Sequence, residues 1–322
     1  MIVFRNIDEI HERLPHPVVT IGNFDGVHLG HREIFRRVTQ AAATLGGVSM
    51  VVTFIPHPLK VLGLKRELRL INTYPEKELL IETSGIDYLL TIPFTREFAA
   101  LSAEYFVREI LVGKIGIKRL VIGYDYAFGK NREGSIELLN RLGKELGFTV
   151  EVLEQVGHDN IVYSSTAVRK MIAEGQVREV VKLIGRHFSL GGTVEHGKHR
   201  GKELGFPTAN IVTEKELVPK PGVYAVKVKI DGAEYDGACN IGNNPTFGNE
   251  RVTIEVFIFN FTEDLYGREL RLYFVDRIRD ERKYPDVSTL KAAIAADIER
   301  CRALLANVSI IEYHEYLDGD RP

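Results

Sequence analysis

The chain has 322 residues, a formal net charge of −2, 44% hydrophobic residues and 27% charged residues. This is an ordinary soluble composition, long enough for two separate cores, and its balanced charge gives no sign of a general nucleic-acid or membrane-binding surface. No apolar run reaches membrane-spanning length, the first residues lack a signal-peptide pattern, and Cys239 and Cys301 have no metal-binding spacing, so a cytoplasmic protein with reduced thiols is expected.

The apolar run Pro17–Ile21 reads as a buried strand. From His31 to Leu45, Ile34, Val38, Ala41, Ala42 and Leu45 recur at helical spacing and predict an amphipathic helix. The string GNFDGVHLGH joins the two. A strand-to-helix turn offers free backbone N–H groups and the positive end of a helix dipole, which suits a phosphate. Gly30 allows close backbone approach, and His28 and His31 can donate to one phosphate chain. Neither G-x-x-x-x-G-K-[ST] nor a post-strand G-x-G-x-x-G is present, so the common nucleotide loops are excluded.

Further strands are predicted over 47–54, 87–92, 118–123 and 148–153, alternating with helices over 75–83, 102–112 and 135–146. This alternation predicts a parallel sheet covered on both faces, with ligands beyond the carboxyl ends of its strands. The H-x-G-H turn, the Pro-His-Pro segment after Phe54 and the aromatic, glycine-rich loop GYDYAFGKNREG all follow strands, which places them at that edge. Farther on, SSTAVR opens a helix running to Glu174 and combines hydroxyls with Arg169 one turn in; this is either a second anion site or, as the segment alone favours, an ordinary helix start with a solvated arginine.

Near Gly185 the pattern changes to short strands separated by glycine and proline, over 188–195, 222–230, 234–241, 252–259 and 269–275. Asp231-Gly232 signals a hairpin, and a helix is predicted over 288–304. The expected domains are therefore 1–185 and 186–322, the second a small, mostly antiparallel barrel. The loop HGKHRGKELGFPTAN sets three glycines among basic residues and can wrap a nucleotide phosphate. Thr208 and Asn210 then present two neutral oxygens on one face of an extended segment, a plausible Mg²⁺ site. Glu255 alternates with Phe257 and Phe259 on one strand face, either as an exposed residue or as a base held in a pocket.

The H-x-G-H pattern resembles the nucleotidyltransferase superfamily. GNFDGVHLGH, VTFIPHP, GYDYAFGKNREG and SSTAVR together resemble the FMN adenylyltransferase module of bacterial FAD synthetases, over roughly residues 15–185. That resemblance implies a Rossmann-like α/β domain in which Gly22, Asn23, His28, His31 and Arg169 hold the triphosphate of ATP. Ser164, Ser165 and Thr166 would assist, with Asp125 and Phe128 near nucleotide and flavin. GKHRGKELGFPTAN, NIGNNPTFG and IRDERKY resemble the riboflavin kinase module, over roughly 186–300. It implies a six-stranded antiparallel barrel with a C-terminal helix. Gly197, Lys198 and Gly201 would sit at the nucleotide, Thr208 and Asn210 on Mg²⁺, Glu255 as base, and Arg279, Arg282 and Tyr284 along the flavin. The implied substrates and products are riboflavin, FMN, FAD and ATP, with no nucleic-acid or membrane partner. An oligomer is neither implied nor excluded. Rival readings are H-x-G-H chemistry on another phosphate acceptor, such as a cytidylyl or pantetheine substrate, and a flavin or nucleotide sensor without turnover.

Overall fold

The structure, a computed structural model, describes residues 1–63, 67–155, 157–158, 161–197, 204–246 and 249–312. Contacts divide the chain into two units, 1–165 and 166–315. The division falls before the expected boundary at Gly185 because a helix over Val177–Ile184 packs on a strand of the barrel.

The first unit is built on a parallel sheet of β1 (Ile2–Phe4), β2 (Val18–Ile21), β3 (Ser49–Ile55), β4 (Tyr88–Pro93), β5 (Arg119–Gly123) and β6 (Thr149–Leu153). Their order is β1-β4-β3-β2-β5-β6. The chain leaves β2 toward β3 on one side and returns from β4 to β5 on the other. The switch point therefore lies between the carboxyl ends of β2 and β5, where such sheets bind ligands. Val18, Val19 and Ile21 are buried, as expected for a strand covered on both faces. The three-residue β1, too short for a periodic signal, is the strand of this parallel sheet absent from the sequence expectation, as the short β7 (Gly157–His158), β8 (Ile161–Val162) and β10 (Ala209–Val212) are elsewhere.

Helix α1 spans Leu29–Leu45 and buries Phe35, Val38, Ala41 and Ala42. It begins two residues earlier than expected because His28 is its N-cap. The short α2 (Pro58–Val61) is followed by α3 (Tyr74–Glu82), which opens with a capping box between Thr73 and Glu76. After α4 (Arg96–Ala99), the helix expected over 102–112 is the three-residue α5 (Ala103–Tyr105) continued by a π-helical segment, Phe106–Ile115. That wider winding buries Phe106, Val107, Ile110, Leu111 and Ile115 together. Helix α6 (Ile136–Leu146) covers the same core. The β7 (Gly157–His158) and β8 (Ile161–Val162) pair follows.

The second unit carries α7 (Ser165–Ala173, whose first residue closes the first unit) and α8 (Val177–Ile184). Its six strands are β9 (Ser189–Glu195), β10 (Ala209–Val212), β11 (Gly222–Ile230), β12 (Ala233–Thr246), β13 (Asn249–Ile258) and β14 (Glu269–Arg279). They close a barrel in the order β10-β13-β12-β11-β14-β9, and every pairing is antiparallel. Asp231 and Gly232 both take positive φ, 47° and 86°, as a two-residue hairpin requires. Alternation sorts each strand: Tyr224, Val226, Cys239, Ile241, Val256 and Phe274 are buried on one face, while Val223, Ala225, Phe257 and Phe259 meet helix α9 (Val287–Leu305) on the other. Beyond α9 the backbone of Ile311 pairs with His187, and Glu312 is ion-paired with Lys229, so this extension packs on the barrel.

Candidate active sites

In the first unit, the segment after β2 turns sharply at Phe24 (φ 48°), Gly26 (φ 89°) and Val27 (φ 37°). A valine there is strained, because its branched Cβ crowds the backbone. Three side chains hold the turn. The Asp25 carboxylate accepts from the backbone N–H groups of Ile71 (3.0 Å) and Asn72 (3.4 Å). Its carbonyl accepts from the Ser165 hydroxyl at 2.7 Å. Lys77 Nζ on α3 donates to the Asn23 carbonyl at 3.3 Å and to Thr53 Oγ1 at 3.0 Å.

The turn delivers His28 to the start of α1, where its Nδ1 accepts from the backbone N–H of His31 at 3.3 Å. The two imidazoles stack 3.6 Å apart, with Phe24 edge-on to His31 at 5.2 Å. A Cβ on Gly30 would come within 3.2 Å of the His28 ring and 3.3 Å of Tyr163 Cβ, a tight contact that glycine avoids. The N-terminus of a long helix carries unsatisfied N–H groups and partial positive charge. Paired imidazoles there stand where the field of the helix end favours an anion.

Structure thus brings Gly22, Asn23, His28, His31 and Ser165 to one turn, with Ser164 adjacent in sequence. Ser165 reaches it through the Asp25 carbonyl. Thr166 and the half-buried Arg169 follow on α7, within the second unit. Asp125 is exposed on the loop after β5, and Phe128 packs against Tyr126 and Phe106 at 5.4 and 5.8 Å. Sequence reasoning missed Lys77, although a lysine preceding Leu80 and Ile81 at helical spacing on a buried face was a visible signal. Burial lowers its ammonium to about 8, against the opposing pull of the Asp25 carboxylate.

In the barrel, register brings the second cluster together. Glu255 on β13 lies opposite Asn210 on β10 and opposite Asn240 on β12. Directly opposed side chains stand about 5 Å apart on a shared face. Glu255 is half-buried, and its charge joins burial in pushing up the neighbouring Cys239 thiol. Gly197 is pressed on Asn210: a Cβ there would lie 2.0 Å from the amide nitrogen. Lys198 and Gly201 lie outside the described residues. Thr208, Asn210 and Glu255 carry oxygen ligands, which suits a hard cation such as Mg²⁺. No group of three or more His, Cys, Asp or Glu with metal-binding placement occurs among the described residues.

Arg279 at the end of β14 makes a bidentate ion pair with Asp297 of α9, with contacts of 2.7–3.0 Å. Its guanidinium also faces the Tyr284 ring at 5.6 Å, while Arg282 is exposed on the same segment. Asn240 joined this site unforeseen, since only pairing of β12 with β13 reveals it.

A parallel sheet with H-x-G-H at its switch point, followed by a closed six-stranded barrel, defines a two-unit transferase of phosphate groups. Residues 10–167 match the FAD synthetase family and residues 184–305 the riboflavin kinase family. A bifunctional riboflavin kinase/FMN adenylyltransferase from Buchnera aphidicola is 38% identical, the match covering 92% of this chain and 96% of the relative. One from Pseudomonas fluorescens is 39% identical over 90% and 93%. A crystal structure described as a macrolide-efflux protein from Streptococcus pneumoniae superposes with a TM-score of 0.86 at 33% identity, over 96% of this chain and 99% of that one. The efflux description is that protein's own. No helix among the described residues here is long and apolar enough to cross a membrane. The chain belongs to the bifunctional riboflavin kinase/FMN adenylyltransferase family.

Proposed function

We propose that the barrel phosphorylates riboflavin with ATP to give FMN and ADP, and that the α/β unit joins FMN to a second ATP to give FAD and pyrophosphate. The observation that carries this reading is the presence of both family regions in one chain, each containing its own polar cluster.

In the kinase step the terminal ribityl hydroxyl attacks the γ-phosphorus, the bond from that phosphorus to the β-bridging oxygen breaks, and Glu255 takes the hydroxyl proton. Asn210 and Asn240 flank the carboxylate and support its placement. Thr208 and Asn210 would hold Mg²⁺, whose role when bound is to neutralise phosphate charge. Gly197, Lys198 and Gly201 belong to the loop at the nucleotide. Arg279, fixed by Asp297, anchors the segment that offers Arg282 and Tyr284 to the flavin.

In the adenylylation step an FMN phosphate oxygen attacks the α-phosphorus of ATP and pyrophosphate leaves. No side-chain nucleophile is needed, so positioning and electrostatics carry the rate. His28 and His31 would meet the triphosphate at the end of α1, with Asn23 and Gly22 in the turn; Ser164, Ser165, Thr166 and Arg169 are the further residues that the family resemblance assigns to the nucleotide. Asp125 and Phe128 lie toward nucleotide and flavin. ATP-dependent chemistry and two free, buried cysteines support a cytoplasmic setting.

The test is to incubate the protein with riboflavin and MgATP and separate the flavins chromatographically over time. FMN that appears and gives way to FAD is expected. No conversion from riboflavin or from supplied FMN would overturn the reading.

A further inference from the structure

Lys77 is only 6% exposed, and the attraction of the Asp25 carboxylate only partly offsets the burial of its ammonium. Its hydrogen-bond partners are the Asn23 carbonyl and the Thr53 hydroxyl, and its ammonium faces the Tyr74 ring at 5.5 Å. Burying an ammonium in this way is costly, and an apolar side chain of similar length would fill the space at less cost. Folding alone does not account for a lysine here.

What the ammonium touches is the entry to the phosphate turn. Asn23 begins the segment in which Phe24 and Val27 take positive φ, and that segment sets where His28 and His31 stand. Asp25 is held at its carboxylate by the Ile71 and Asn72 amides and at its carbonyl by Ser165. Those anchors all act on one residue. Lys77 is the anchor two residues earlier, at Asn23, and it ties the turn to β3 through Thr53 as well. A charge-assisted donor makes the stiffer tie. Thr53 also donates to the Asn23 carbonyl, at 3.4 Å, so that oxygen keeps a partner if the lysine is lost.

We propose that Lys77 is a positioning residue for adenylyl transfer, holding the Asn23 carbonyl so that the strained turn presents His28 and His31 in the geometry that the transition state requires. This rests on the adenylyltransferase reading of the first unit. It makes Lys77 matter for turnover more than for substrate affinity or stability. A displacement near 1 Å at such a site costs about a hundredfold in rate.

The experiment compares wild type, Lys77→Met and Lys77→Arg as full chains in FMN-to-FAD conversion, with thermal unfolding measured on each. Wild-type conversion comes first, because its absence overturns the underlying reading rather than this one. Given conversion, Lys77→Met is expected to lower kcat by about ten- to a hundredfold, leave KM for ATP and FMN within about threefold, and hold Tm within about 3 °C. Lys77→Arg, which keeps a charged donor, is expected to recover part of kcat. An unchanged kcat in Lys77→Met, or an effect confined to KM, would overturn the proposal. So would a rate loss that tracks a fall in Tm and that arginine does not relieve, since that is the behaviour of a purely structural lysine.

Discussion

Gly197→Ala is the sharpest perturbation of the kinase site. The added methyl would lie 2.0 Å from Asn210 Nδ2 and 2.4 Å from its Cγ, where 3.4 Å is ordinary contact. Something must retreat by more than about 1 Å, and the yielding group is the end of the Asn210 side chain, because a rotamer change is cheaper than a backbone shift in a closed barrel. Global stability should therefore change by less than about 1 kcal/mol. Asn210, however, leaves its place opposite Glu255, and misplacement on this scale costs about a hundredfold in rate. The assay is riboflavin-dependent ADP release, run beside conversion of supplied FMN to FAD on the same preparation. Phosphorylation should fall by about two orders of magnitude while adenylylation holds. A kinase rate within about threefold of wild type, with the chain folded, would refute the assignment of Asn210 to the reacting centre.

Replacing both His28 and His31 by alanine should stop FAD formation while FMN accumulates; loss of FMN as well would count against separate sites. Asp297→Ala removes the partner of a half-buried guanidinium, with the pair's side chains 17% and 12% exposed, and should cost about 3 kcal/mol in denaturant unfolding. A loss below about 1 kcal/mol would contradict the ion pair's role. Burial, with the nearby Asp297 charge, pushes the Cys301 thiol up to about 12, above its unfolded value. Its contribution is complete below about pH 8.5 and is lost as pH rises toward 12. The stability advantage of wild type over Cys301→Ala should therefore shrink by about 1.4 kcal/mol per pH unit between pH 9 and 10. Lys77, whose folded value is lowered to about 8, works in the opposite sense over the same range. Comparing the two proteins removes that common contribution, and an advantage constant with pH would refute the thiol assignment.

The alternation of strands and helices and the glycine-punctuated second half made both architectures legible before any coordinates, because hydrophobic period and turn chemistry are local. The H-x-G-H turn was legible for the same reason, as a glycine and two histidines at a strand-to-helix junction. Three things were not. The extra residues at the start of α1 depend on His28 serving as cap, which its residue type does not advertise. The π-helical winding of Phe106–Ile115 carries no sequence signature distinct from an ordinary helix. Asn240 and Lys77 join their sites through contacts with Glu255 and Asn23 that are remote along the chain. The Ser165 hydroxyl also donates to the Asp25 carbonyl, a task for which a serine at that position gives no cue.

The base in the barrel is held by ladder register rather than by a loop, and this restricts how the protein can vary. Asn210, Glu255 and Asn240 share a face only because β10, β13 and β12 pair as they do. Inserting one residue between Ile241 and Ile254 without an absorbing bulge would turn Glu255 inward among Cys239 and Val256 and bring an apolar neighbour out in its place. Length changes within these paired strands should therefore be tolerated in twos rather than singly. Substrate range would then evolve at the rim, over a reacting centre whose position is written into backbone hydrogen bonds.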